Sequence, residues 1–340
     1  MEFKFVLGVD ISKGWFNYCL MSEDFEIVKE GEVENRPDAI SLFISELFVA
    51  EGLADMGGTA LVMEHTGLYV RHLADGWLGA GGRLSIVPAM KVSRLLGGQS
   101  GWDEKSDVID ARRLAEYGFR YSDMLTPWKL PDDAIRILNA LNATRKRLLN
   151  ALNMLKVPLG ESRLFDGAEV AEAIGEGCGR AIAALGDDLK RVEEKIRNLV
   201  RNDGRLGKLF DLITSVEGVG PVTATEVIIA TEGFEKFRPD QAKAFARYSG
   251  VAPLKKQSGK VSRRNRTGKR ANRKIKTVLT MGATSLIGTK SMLGQYYERR
   301  IGEGKPHFSV VNAMRNKIIL RIFAVVRNQV TYDKNLNFIN

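Results

Sequence analysis

Over the first 120 positions the apolar residues fall in short runs separated by polar punctuation. Phe5 to Ile11 is one such run with β-branched members, and Trp15 to Leu20 is a second. Glu26 to Glu34 alternates in the manner of a half-exposed strand. These three predict consecutive antiparallel strands. Pro37 then opens a helical pattern through Ile40, Leu42, Phe43, Leu47 and Phe48, and Gly57 and Gly58 mark a loop. Thr59 to Met63 predicts a buried strand that delivers Glu64 at its carboxyl end. Tyr69 to Leu78 predicts a helix, Leu84 to Val87 the next strand, and Asp107 to Tyr117 another helix. The expectation is a mixed sheet flanked by helices, an α/β domain.

From about Asp132 the period lengthens. Ile135, Leu138, Leu141, Leu148, Leu149, Leu152 and Leu155 recur at helical spacing. The Gly-rich stretch from Pro158 to Gly179 interrupts the pattern, and Ile182, Leu185, Leu189, Val192, Ile196 and Leu199 resume it. Two long antiparallel helices follow, either a protruding or dimerising arm or plain bundle packing within one monomer. A third, mainly helical segment runs from Phe210 to about Tyr332. It opens on Gly218-Val219-Gly220-Pro221 ahead of an apolar helix containing Ala224, Val227 and Ile228. Such a loop is either a phosphate-holding helix start or a helix–helix turn without a ligand. Asn312 to Val326 predicts a helix that carries Arg315, Lys317 and Arg321. The resulting division is residues 1–125, an α/β domain; 126–205, a helical coiled-coil-like arm; and 206–340, a basic helical domain.

Charge changes this picture at one place. The formal net charge is +10, and Lys255 to Lys276 holds eleven Lys or Arg with no Asp or Glu, so the rest of the chain sums to about −1. The run is broken by Ser258, Gly259, Thr267, Gly268 and Asn272. That favours a surface which hugs a nucleic-acid backbone over a merely solvated helix face. Cys19 and Cys178 are too few and too far apart for a disulfide framework or a zinc site, and a reducing cytoplasm fits them. The start of the chain lacks the pattern of a cleavable leader, and its longest apolar stretches fall short of a membrane span.

The candidate chemistry lies in acids at unusual positions. Asp10 sits inside Val6-Leu7-Gly8-Val9-Asp10-Ile11, the most apolar strand of the domain, and Glu64 repeats the anomaly at the end of another. Buried carboxylates are costly unless paired or bound to a cation. Asp107 and Asp110 lie three apart, a spacing that puts both on one helix face, where they repel unless a divalent ion intervenes. The bland alternative makes Asp107 a helix N-cap and Asp110 a solvent-facing residue. Four carboxylates suit Mg²⁺ or Mn²⁺, and two such ions about 4 Å apart would activate a nucleophile and stabilise a leaving oxygen on phosphate.

The order Gly8-Val9-Asp10, then Glu64-His65-Thr66-Gly67-Leu68-Tyr69, then Lys105-Ser106-Asp107-Val108-Ile109-Asp110-Ala111 resembles the four-carboxylate (DEDD-type) transposases of bacterial insertion sequences, a group described as bridge-RNA-guided serine recombinases. The likeness continues through Gly218-Val219-Gly220, Phe237, Tyr248 to Pro253, Ser258-Gly259 and Arg315-Asn316-Lys317. It implies an RNase H-like, Holliday-junction-resolvase-like first domain with Asp10, Glu64, Asp107 and Asp110 as catalytic metal ligands. It also implies that Ser258 attacks DNA and forms a transient phosphoserine link, with Ser249 as the competing serine. The partners implied are donor and target DNA, a structured non-coding bridge RNA, and further copies of the chain as a dimer assembling to a tetramer. Expected contacts to nucleic acid are Lys13, Lys105, Gly218, Gly220, Lys255, Lys256, Lys260, Arg263, Arg264, Arg266, Lys269, Arg270, Arg273, Lys274, Arg315 and Lys317.

Two other classes stay open at this point. One is a structure-selective nuclease or junction resolvase in which water is the nucleophile. The other is a non-catalytic nucleic-acid-binding protein whose acids are structural.

Overall fold

A computed structural model of the chain describes residues 3–50, 56–96, 106–258, 261–267 and 271–333. The chain divides into two compact units, Met1–Leu130 and Pro131–Asn340.

The first unit is built on a five-stranded sheet in the order β3-β2-β1-β4-β5. Its strands are β1 (Phe5–Ile11), β2 (Trp15–Ser22), β3 (Ile27–Glu34), β4 (Thr59–Glu64) and β5 (Arg83–Val87). The first three form the expected antiparallel meander, while β4 and β5 run parallel to β1. Parallel neighbours need crossovers, and helices supply them: α1 (Pro37–Ala50) leads to β4 and α2 (Arg71–Gly79) to β5. Two further helices, α3 (Ala89–Leu96) and α4 (Asp107–Arg120), follow the sheet. Of these, α3 was not expected from the apolar pattern, because its eight residues are too short to show a clear period. Leu42, assigned to the core side of its helix by spacing, is 62% exposed.

Alternate side chains of β1 and β4 serve two cores. Leu7, Val9, Ile11, Leu61 and Met63 pack with α1 and α2. Val6, Ala60 and Val62 pack on the other face with Ala111, Leu114 and Ala115 of α4. Gly8 belongs to that second face, and a Cβ there would lie 2.2 Å from the Ala111 carbonyl oxygen and 2.3 Å from the Ala115 nitrogen. The backbone of α4 therefore crosses β1 directly over Gly8, an approach only glycine permits. Gly8→Ala is expected to destabilise the protein by roughly 2–3 kcal/mol or more through forced separation of α4 from the sheet. A thermal melt of the variant checks this, and an unchanged midpoint would contradict the close crossing.

The second unit begins with a helical hairpin of α5 (Asp133–Phe165) and α6 (Ala168–Asn202). The expected break at Pro158 does not occur. The helix runs through Pro158 to Phe165, the chain turns at Asp166 and Gly167, and Gly175, Gly177 and Gly179 lie inside α6. Proline and glycine cost about 3 and 1 kcal/mol of helix propensity, but packing of the partner helix outweighs such terms. Gly175 still faces Leu159 across the pair.

The remainder folds as α7 (Gly204–Thr214), α8 (Pro221–Thr231), α9 (Ala242–Tyr248), the hairpin β6 (Pro253–Ser258) and β7 (Val261–Thr267), α10 (Arg273–Ser285), α11 (Met292–Gly302) and α12 (His307–Asn328). One core joins the roots of α5 and α6 to α7, α8, α10 and α12. No helix among the described residues is long and apolar enough to cross a membrane.

Candidate active site

Register brings the first two acids together. Val9 of β1 lies beside Met63 of the parallel strand β4, so the next positions along the two strands are Asp10 and Glu64. Neighbouring strands run about 4.8 Å apart. Both acids share the face that carries Val6 and Val62, the face covered by α4. Opposite Asp10 on β2 stands Asn17, which is buried. Asn17 was missed by sequence reasoning, although it is a polar side chain in the interior of an otherwise apolar strand.

The second pair arrives on α4. Gly118 of this helix packs on Val6 and Val62, while Ala111 and Ala115 bracket Gly8. Moving towards the start of the helix thus means moving towards the carboxyl end of β1. One more turn in that direction carries Asp107 and Asp110. Ser106 forms the N-cap, accepting from the Ile109 amide at 3.3 Å. Asp107 is therefore the first helical residue and not the cap. Its charge still favours the positive helix start. Arg112 of α4 makes a bidentate pair with Glu30 of β3 at 2.8 and 2.6 Å, which fixes the rotation of the helix and holds the Glu30 carboxyl below its ordinary value.

The four acids share one electrostatic neighbourhood. Burial raises the Asp10 carboxyl above its ordinary value of 3.8, and the charges of Asp107 and Asp110 raise it further, against a lowering bond from the Ile11 amide. Burial likewise raises Glu64 above 4.5, followed by repulsion from Asp10 and Asp110. Asp110 is half-buried and offset by Arg113 at 3.1 Å, while Asp107 is exposed.

The pH dependence follows from these directions. In the folded state both groups hold their protons to higher pH than in the unfolded chain, so protonation favours the fold. The contribution is fully present below the ordinary values of 3.8 and 4.5 and is lost as pH rises through the raised ones. Thermal melts in chelator are expected to show stability falling across that window. Glu64→Gln should flatten the fall, and an identical slope in the variant would contradict the assignment.

All four donors are hard carboxylate oxygens, the chemistry that suits a small divalent cation, and the repulsion among them is what such a cation relieves. Among the described residues no three His, Cys, Asp or Glu side chains are gathered closely enough to hold a metal ion. Asp110 pairs instead with Arg113. Cys19 lies nearby on β2, but burial pushes its thiol up to about 12, and it stays protonated.

The remaining candidates are more dispersed. Lys13 is exposed on the turn after β1. Ser258 is the last residue of β6, paired with Val261, and Lys256 pairs with Arg263 along the same hairpin. Lys255 lies on β6 as well, and Arg264 and Arg266 on β7. Lys105, Lys260, Lys269 and Arg270 lie outside the described residues. Arg273 and Lys274 are exposed at the start of α10. Lys317 lies over the Tyr296 ring at 4.9 Å. Arg315 differs from these surface cations: it is 7% exposed, its Nε faces the Val311 carbonyl at 3.4 Å, and burial lowers its pKa.

Gly218 has φ +79°, and a Cβ on it would meet the Gly282 carbonyl oxygen of α10 at 2.7 Å. Close packing of two helix-bearing segments thus accounts for Gly218. Gly220, with open space around it, caps α8. Ser249 is fully buried, and its hydroxyl donates to the Phe245 carbonyl at 2.7 Å.

Comparison with known proteins gives two family matches. Residues 7–160 match a transposase family of the four-carboxylate (DEDD) type, and residues 210–298 match the Transposase IS116/IS110/IS902 family. Among curated proteins the chain is similar to the "Pilin gene-inverting protein" of Moraxella bovis, 22% identical over 98% of this chain and 99% of that protein. It is also similar to the "Probable family 20 transposase" of Pseudomonas aeruginosa, 24% identical over 67% of this chain and 74% of that one. A transposase domain with this acid set implies dependence on a divalent metal. The acids of the first unit and the two matches, which together span well over half the sequence, lead to one conclusion: the chain belongs to the IS110/IS116/IS902 family of insertion-sequence transposases, enzymes of DNA recombination.

Proposed function

We propose that the chain cuts and rejoins DNA through a covalent serine intermediate, guided by a structured bridge RNA. The observation that carries the reading is that Asp10 and Glu64 stand in register on the sheet face covered by α4, the helix whose first turn carries Asp107 and Asp110, with the charges of that pair acting on Asp10. The strand order, with an antiparallel meander followed by two parallel strands, supports an RNase H-like assignment for the first unit. The four acids would hold two Mg²⁺ or Mn²⁺ ions. When bound, these supply Lewis-acid polarisation of the scissile phosphate and neutralise its charge.

The chain's own groups account for the rest. Ser258 Oγ forms a bond to phosphorus, the bond to the 3′ oxygen breaks, and the released 3′ hydroxyl takes the serine proton. The phosphate then links Ser258 to the 5′ end. Attack by the 3′ hydroxyl of a partner strand reverses the step and frees the serine, so bond energy is retained and no nucleotide cofactor is consumed. Lys255, Lys256 and Lys260 stabilise the charged phosphate during the exchange. Ser249 is a poor competitor, because its hydroxyl is buried and committed to Phe245.

The acids and the serine belong to different compact units. We assign their meeting to an assembly, a dimer that pairs into a tetramer, with the α5–α6 hairpin as a dimerising arm and the third part of the chain, residues 206–340, as the serine domain. Arg263, Arg264, Arg266, Lys269, Arg270, Arg273 and Lys274 would contact the backbones of bridge RNA and of donor and target DNA, with Lys13, Lys105, Gly220 and Lys317 as further contacts. Gly218 and Arg315 are given up by the packing described above. The name of the Moraxella relative points to inversion of a DNA segment, a rearrangement the same cut-and-rejoin chemistry serves. The setting is the cytoplasm.

The test is a protein–DNA adduct. Full-length chain, bridge RNA and DNA carrying the element ends are incubated with Mg²⁺ and then denatured. DNA that migrates with the protein until protease treatment supports the reading. Cleavage that leaves only free DNA ends favours the water-activated nuclease.

A further inference from the structure

In the second unit a cavity of about 160 Å³ lies between α5, α8 and the start of α10. Its floor is polar and deeply buried: Glu226 and Asn142 are each 4% exposed. Asn142 Nδ2 donates to Glu226 Oε1 at 2.7 Å, and Lys146 Nζ pairs with the same oxygen. Among the described residues no partner falls on Oε2. Oε2 is not sealed from solvent: it opens towards the cavity, where a ligand donor can reach it.

The rim has the opposite character. Lys236 and Lys274 line it and are exposed. Tyr248 forms an aromatic wall, its ring held by Phe237 at 5.1 Å and Phe245 at 6.0 Å between centroids. Asn272 closes the wall by donating to the Tyr248 hydroxyl at 2.9 Å and, through its amide, to the Tyr248 carbonyl at 2.9 Å. These two residues bracket the segment that carries β6 and β7, so the two ends of that basic segment lie at the edge of the cavity. The volume equals roughly five waters at about 30 Å³ each. It is more than a phosphate needs and less than the ~300 Å³ of drug-sized clefts.

We infer that the cavity takes one unpaired nucleotide whose base carries an exocyclic amino group. The amino group donates to Glu226 Oε2, the base lies against Tyr248, and the phosphate meets Lys236 and Lys274. The inference rests on the reading above only in that the hairpin carries nucleic acid.

Titration calorimetry of the full-length chain tests it with CMP, UMP and inorganic phosphate. CMP presents an amino donor where UMP presents a carbonyl, so CMP is expected to bind about tenfold more tightly. Glu226→Gln should shrink that ratio to within about threefold, and Lys274→Glu should weaken both nucleotides alike by about fivefold, in line with loss of a phosphate contact. Equal binding of CMP and UMP, or phosphate competing as well as CMP, overturns the proposal. Because Glu226→Gln could unfold the protein by stranding Lys146, the unchanged chain and the surface variant Lys274→Glu suffice for a decision. CMP bound above dCMP would support an RNA strand as the occupant, and equal binding would support either nucleic acid. An adduct that forms normally in a protein blind to CMP sinks the cavity alone, whereas CMP binding without any adduct sinks the recombinase alone.

Discussion

Asp10→Asn is expected to abolish DNA cleavage by the full-length chain while raising the melting temperature of the metal-free protein. The two effects have one origin. Asp10 is held above its ordinary pKa by burial and by Asp107 and Asp110, so its charge is a burden on the fold near neutral pH. Asn keeps the shape and removes the charge. The same change takes away an oxygen of the proposed ligand set, beside Glu64 in register. Loss of several kcal/mol of transition-state stabilisation corresponds to about 10³-fold or more in rate. Cleavage assays in Mg²⁺ and thermal melts in chelator measure the two separately. A variant that is more stable and inactive identifies a functional carboxylate. A variant that is less stable and active would make the acid structural, the outcome expected of a non-catalytic nucleic-acid binder.

Much of this site was legible in the sequence, for reasons that particular residues make plain. An acid between Val9 and Ile11 stands out because β1 is otherwise apolar, and Glu64 stands out in the same way at the end of β4. The meander and the helix starting near Asp107 follow from period and length. What the spacing could not supply was the close crossing of α4 over Gly8, because a glycine in a strand signals an approach without naming the partner. Asn17 was hidden for a related reason: its importance comes from lying opposite Asp10, and register between strands is a tertiary fact. Arg113, which neutralises Asp110, reads in sequence as an ordinary surface cation.

The helical hairpin failed in the other direction. Pro158 and the glycines of α6 are local signals against a helix, and packing between α5 and α6 overrode them. In the second unit, the sequence around Gly218 allows either a phosphate-holding helix start or a ligand-free helix–helix turn, because glycine before a helix serves both phosphate binding and tight packing. Its contact with Gly282 shows the second use. Arg315 carried a basic signature from a helix whose surrounding face is buried. Side-chain type alone does not distinguish a surface cation from a buried one.

Ser258→Ala is expected to eliminate the covalent protein–DNA adduct, and with it strand exchange, by on the order of 10⁴-fold or more, while binding of DNA and RNA persists. Ser258 ends β6, paired in the ladder with Val261, within the basic segment. On the proposed mechanism a methyl group there removes the atom that would bond to phosphorus and leaves the lysines proposed to hold the backbone. Binding measured by gel shift should therefore stay within about threefold, since affinity for nucleic acid rests on the summed cations. Ser249→Ala is the matched control. Its hydroxyl satisfies the Phe245 carbonyl in a buried place, so this change should cost about 1–2 kcal/mol of stability and leave the adduct in the folded fraction. If the two variants exchange these phenotypes, the nucleophile is Ser249 and α9 must open to expose it. If neither loses the adduct, the serine chemistry itself is wrong, and the acids of the first unit act on DNA with water as the attacking group.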